Sequence, residues 1–151
     1  MYRIKNYISL LFVGIIFSTC SKEKFEADVP AYITINDIGF STNYAQEGSA
    51  SENITDAWVY ANDELVGVFE LTATFPVLRK GNVEIKVYAG IKDNGIAASR
   101  ARYTMYDPYI ENVNLLAGET IEVVPSVKYN SGVKFRWLED FENASLSFLY
   151  H

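Results

Sequence analysis

From Asn82 to Ile91 apolar and polar side chains alternate without a break. Val83, Ile85, Val87, Ala89 and Ile91 fall on one face of an extended chain, and Asn82, Glu84, Lys86 and Tyr88 on the other. A period of two predicts a strand with one face in a core and the other in water. Residues 120–129 repeat the pattern, with Ile121, Val123, Val127 and Tyr129 against Glu122, Ser126 and Lys128. Pro125 inside that stretch predicts an edge strand or a bulge. In 133–138, Val133, Phe135 and Trp137 oppose Lys134 and Arg136, and Asn130-Ser131-Gly132 predicts the hairpin turn between the two. Residues 99–106 set Ala101, Tyr103 and Met105 against Arg100, Arg102 and Thr104.

Earlier segments are less regular. Ile33 and Ile35 share one parity, Ile38 and Phe40 the other, so a bulge near Asn36-Asp37 is expected within 31–40. Residues 41–53 (STNYAQEGSASEN) read as a polar loop. Residues 56–61 and 65–71 form a hairpin across Asn62-Asp63-Glu64, and Gly67 marks a bulge or a close backbone approach. Lys92-Asp93-Asn94-Gly95 is a turn, and Pro108 and Gly118 bracket a further connection. About seven short strands divided by turn residues, with no internal repeat, predict an all-β fold. The expected architecture is a single antiparallel β-sandwich over 31–138.

The N-terminus has a different grammar. Arg3 and Lys5 precede Tyr7 to Phe17, an uncharged run, and small residues follow up to Cys20. A basic region, a short apolar run and small residues describe a secretory signal peptide, and the run falls short of the ~20 residues a spanning helix needs. Cys20, placed directly after the apolar run, resembles the lipobox Cys of bacterial lipoproteins. Phe17 and Thr19 stand where the usual box has Leu and Gly or Ala, and lipoproteins of the Bacteroidota tolerate looser boxes. Ser21-Lys22-Glu23-Lys24 resembles the Lys-acidic export signal of surface lipoproteins in that phylum. The resemblance implies residues 1–19 as the signal peptide, a diacylglyceryl anchor on Cys20, and a charged tether over 20–30. It places the protein in the cell envelope, on the outer membrane and exposed at the surface.

Cleavage before Cys20 leaves 132 of the 151 residues. It removes two cations and no acid, taking the net charge from −6 to −8. That balance argues against a nucleic-acid partner. The chain has one Cys and one His, His151. This excludes a disulfide framework and a zinc site, and it leaves a Ser-His-Asp device only a histidine at the chain end. No phosphate loop, dinucleotide fingerprint or nucleophile elbow occurs, so neither cofactor nor enzymatic activity is expected.

Trp58-Val59-Tyr60-Ala61-Asn62-Asp63-Glu64-Leu65-Val66-Gly67-Val68-Phe69, followed by Phe75-Pro76-Val77-Leu78 and Gly81-Asn82-Val83-Glu84-Ile85-Lys86-Val87, resembles the core of PEGA-type domains. These are small β-sandwiches of surface and secreted proteins. The resemblance covers roughly 56–91 and implies a PEGA-like or immunoglobulin-like sandwich. The wider pattern from Ile54 to Ile96 is also similar to uncharacterised Bacteroidota lipoproteins that continue into a second β domain. Residues 139–151 (EDFENASLSFLYH) are therefore either a terminal strand of the one domain or the start of a truncated second.

Arg100, Arg102, Tyr103, Tyr106 and Tyr109 form an aromatic and cationic cluster in sequence. Rings can stack on sugars and Arg can hydrogen-bond hydroxyls, so Arg100, Arg102, Tyr106 and Tyr109 are the candidate ligand-binding residues. Trp58 and Trp137 read as core anchors. The acidic groups Asp63-Glu64 and Glu139-Asp140-Glu142 lack the loop spacing of a calcium site. The expectation is a lipid-anchored, non-catalytic binding or structural module, with a glycan or another envelope protein as partner. One alternative is a glycan-binding lipoprotein of a polysaccharide-uptake system. The other is an accessory glycoside hydrolase using two carboxylates.

Overall fold

The computed structural model describes residues 28–96 and 98–138. Cys20, the signal region and 139–151 lie outside the described residues. Among the described residues there are ten strands: β1 (Ala31–Ile35), β2 (Gly39–Ser41), β3 (Asp56–Ala61), β4 (Glu64–Glu70), β5 (Ala73–Val77), β6 (Gly81–Lys92), β7 (Arg100–Arg102), β8 (Tyr109–Leu115), β9 (Thr120–Glu122) and β10 (Ser126–Lys128). Among the described residues, helix is confined to one turn, α1 (Tyr44–Glu47), in the polar loop, and a 3-10 turn at Asp93–Gly95.

One sheet has five strands. β6 pairs with β3 on one side and with β8 and then β7 along the other, and β4 pairs with the far edge of β3, all antiparallel. The facing layer is β5-β1-β9, joined to the pair β10-β2. Backbone bonds from Val123 N to Thr34 O (3.0 Å) and from Gly39 N to Pro125 O (2.9 Å) bridge the two pieces. The facing layer is not wholly antiparallel, because β1 runs parallel to β9 and β2 parallel to β10. Ile33, Ile35, Phe75 and Val127 from this layer join Val59, Val83, Ile85 and Val87 from the other in one buried core. The fold is an all-β sandwich.

The expected alternation of β6 holds residue by residue: Val83, Ile85, Val87 and Ala89 are buried, and Ile91 is half-buried. The chain breaks between Asn36 and Ile38, so that Ile33, Ile35 and Ile38 are all buried despite their parity. Asn62 and Asp63 both have positive φ (50° and 65°), which makes a two-residue turn whose twist matches the flanking strands. The register of β3 on β4 slips between Val59 and Tyr60, opposite Gly67. A Cβ at Gly67 would stand 2.6 Å from the Phe69 ring, which is stacked on Phe75 at 4.0 Å between centres.

Three expectations fail. Residues 133–138 do not form a strand; the Asn130 turn is present, with Val133 N bonded to Asn130 O, but the chain does not pair back. The stretch bracketed by Pro108 and Gly118 holds β8, which pairs with β6 over seven residues. β5, with Pro76 inside it, is a strand because it lies at the sheet edge, where a missing N–H costs no ladder bond. Neither tryptophan anchors the core. Ala57, Val59 and Ala61 take the inner face of β3, leaving Trp58 on the outer face, and Trp137 is 61% exposed.

Candidate functional site

The four candidate residues do not converge. Arg100 and Arg102 lie on the outer face of the five-stranded sheet, paired in register with Lys92 and Gly90. The Arg100 Nε lies 2.9 Å from Oδ1 of Asp56, and its Nη2 donates to Glu70 at 2.9 Å. The Arg102 guanidinium carbon sits 4.9 Å from the ring centre of Tyr88 and 6.0 Å from those of Trp58 and Tyr60. Both cations are thus engaged within the sheet, Arg100 by carboxylates and Arg102 by aromatic faces. Tyr109 has the inner parity of β8, and its hydroxyl donates to Glu111 at 2.9 Å. Burial, then Glu111, raises its pKa.

Of the four, Tyr106 lines a cleft. The cleft, of about 710 Å³, is walled by Tyr103, Tyr106 and Tyr129 on one side. Residues 51–55, Ile91 and Lys92 complete the lining. Tyr103 directly follows β7, Tyr129 directly follows β10, and Tyr106 comes from the connection between β7 and β8. The corner 103–107 is clipped to 128–130 at the end of the sandwich. Tyr106 and Tyr129 form an antiparallel bridge, Asp107 N bonds to Lys128 O at 2.9 Å, and Asn130 N bonds to Met105 O at 2.9 Å. The Asn130 amide adds a bond to Thr104 O at 3.0 Å.

The rings form a continuous cluster. Tyr106 lies 4.5 Å from Tyr103 and 5.2 Å from Tyr129 between ring centres, at 63° and 65°. Phe40 supports it from β2 at 4.5 Å, and Phe135 packs on Tyr129 at 4.8 Å. Such tilted pairs are favoured by the ring quadrupole, and they hold the wall rigid. Each of the three tyrosines is half-buried. Burial first, then the neighbouring Tyr129 and Tyr103 phenols and the Glu52 carboxylate, holds the Tyr106 phenol far above its usual range. Burial and Tyr129 likewise raise Tyr103. These phenols are neutral hydrogen-bonding groups at physiological pH.

The rest of the lining mixes polar groups with Ile54 and Ile91. Oε2 of Glu52 accepts from Ile54 N at 2.5 Å, bending its carboxylate back onto its own loop. The Lys92 ammonium lies 3.2 Å from Glu70. No group of three metal-ligating side chains occurs among the described residues. Sequence order alone ties Tyr106 to the nearby arginines, and this missed Tyr129 and the 51–55 loop. Tyr129 was legible as the end of a strand, but nothing local brings it to Tyr106. No family model matches the chain, and neither the curated proteins nor the solved structures searched contain a match to it.

Proposed function

We propose that this chain is a non-catalytic ligand-binding module of the cell envelope, anchored to the outer membrane by a lipid on Cys20 and exposed at the surface. The observation that carries the binding role is the tyrosine-walled cleft. It combines apolar ring surface with a few convergent polar groups, the usual make-up of a small-ligand site. The non-catalytic reading is supported by the state of the cleft's ionisable groups. The phenols of Tyr103 and Tyr106 are driven away from ionisation, and the cleft's carboxylate and ammonium are each engaged with a neighbour. The anchor is supported by the position of Cys20 after the apolar run. More than one acyl chain, at ~0.8 kcal/mol per buried CH₂, holds a protein on a bilayer stably. The likeness of 56–91 to PEGA-type domains accords with an extracytoplasmic sandwich, and we take this one to be PEGA-like.

The anchor is tested in a Gram-negative host expressing the full chain. Labelled palmitate is expected to enter the wild-type protein, and Cys20→Ser is expected to move it from the membrane to the soluble fraction. An unlabelled protein, or a Cys20→Ser variant that stays in the membrane, removes the anchor. Turnover of any chromogenic glycoside by the wild type would remove the non-catalytic reading.

A further inference from the structure

Resting on that reading of the cleft, we infer that its ligand is a neutral oligosaccharide. The wall offers two chemistries side by side. The half-buried rings of Tyr103, Tyr106 and Tyr129 supply apolar surface, and their hydroxyls can both donate and accept hydrogen bonds. A pyranose presents the same pair, with C–H groups on its ring faces and hydroxyls around its rim. Asn53 also lines the cleft and is exposed, so an amide donor and acceptor is available in the same cleft as the rings. The volume of about 710 Å³ falls within the ~300–1,000 Å³ range of small-ligand sites.

Charge narrows the class. The acid of the cleft is Glu52, close enough to Tyr106 to disfavour its ionisation. The cation is Lys92, whose ammonium is held by the Glu70 carboxylate. An anionic ligand would meet Glu52 with no uncommitted positive charge among the lining residues to offset it. The Tyr103 and Tyr106 phenols, both raised, remain uncharged donors across physiological pH, so affinity for a neutral sugar should be flat there. Uronates and sulfated chains are the sugars this site should reject.

The test uses the full lipidated protein in a zwitterionic detergent and isothermal titration calorimetry. The probes are cellohexaose, maltohexaose, mannohexaose, xylohexaose, hexagalacturonate and decaproline. At least one neutral hexasaccharide should bind, and hexagalacturonate and decaproline should not. Tyr106→Ala should weaken that binding about tenfold or more, as for a central aromatic contact. Tyr106→Phe, which keeps the ring, should fold and lose less. Arg102→Ala, outside the cleft, should bind as the wild type does. Glu52→Gln should narrow the gap between the neutral sugar and hexagalacturonate. Binding of hexagalacturonate as tight as that of the neutral sugars overturns the inference. Binding of decaproline alone, lost in Tyr106→Ala, also overturns it while leaving the cleft as a binding site. Silence from every probe overturns both.

Discussion

The carboxylate of Asp56, a side chain with no solvent exposure, lies 2.9 Å from the Nε of Arg100 on the neighbouring edge of the sheet. Thr55 Oγ1 donates to the other oxygen at 2.7 Å, and no hydrogen bond is directed at Oδ1. That oxygen is satisfied by the charge of Arg100 rather than by an aligned N–H. Removing one partner of a buried pair leaves an uncompensated charge. Arg100→Met should therefore lower unfolding stability by about 3 kcal/mol, at the low end for buried pairs because the guanidinium reaches solvent. Asp56→Asn in the same background should restore part of that loss, since it removes the orphaned charge. Urea melts of the four proteins check the cycle, and a double variant no more stable than Arg100→Met would show that the charge is not the cause.

Gly90 stands between that pair and the aromatic face. A Cβ there would lie 2.8 Å from Asp56 O, 2.9 Å from Asp56 Cβ and 3.0 Å from Trp58 Cδ1. Two of these neighbours belong to the backbone or to its first side-chain atom, so no rotamer change makes room. Gly90→Ala should cost about 1–3 kcal/mol, as overpacking does. It should also push Trp58 away from the Arg102 guanidinium. Acrylamide quenching of tryptophan emission in a Trp137→Phe background should rise alongside the drop in melting temperature. An unchanged melting temperature would mean that β3 and β6 can separate freely at this point.

The turn between β3 and β4 makes a separate demand on Asn62. Its φ of 50° is left-handed, and its Oδ1 accepts from Glu84 N at 3.0 Å. Alanine loses the bond and resists the backbone, whereas glycine loses only the bond. Asn62→Ala should destabilise by roughly 1–2 kcal/mol and Asn62→Gly by about half as much. Thermal melts that find the two variants equally destabilised would place the cost in the hydrogen bond instead of in φ.

What could be read in advance follows from where each pattern gets its cause. β6 was legible because one face is buried along almost its whole length, so the pleat is printed directly into the residues. The β3–β4 hairpin was legible because Asn62-Asp63 is a local instruction. β8 was hidden because Glu111, bonded to Tyr109, occupies its inner face while Ile110 is 51% exposed on the outer one. Residues 133–138 show the converse: alternation is present, but no strand edge accepts it. The parallel pairing of Thr34 with Glu122 joins distant segments with no turn to announce it. The cleft is of this second kind. Tyr103 and Tyr106 are neighbours in sequence, but Tyr129 joins them only through the clip at the end of the sandwich. Arg100 and Arg102, although adjacent to Tyr103, project onto the sheet's outer face, where carboxylates and aromatic rings engage them.

That clip makes the tyrosine cluster a reporter of its own packing. The phenols of Tyr103, Tyr106 and Tyr109 all ionise above their ordinary value of 10.0, with burial as the leading cause in each. A group whose folded pKa is raised stabilises the fold fully below its unfolded pKa, and that contribution is lost as pH rises through the folded value. The contribution of these groups should therefore be constant through neutral pH and fall away above about pH 10. In an alkaline titration followed at 295 nm, a late fraction should appear together with loss of the near-ultraviolet circular dichroism of the aromatic cluster. Tyr106→Phe removes the most strongly shifted phenol while keeping the ring against Phe40 and Tyr129. It should lose one late equivalent and unfold at higher pH than the wild type. A wild-type chain that ionises all its tyrosines in a single step near pH 10, with its dichroism intact, would show that the wall of the cleft is open to water.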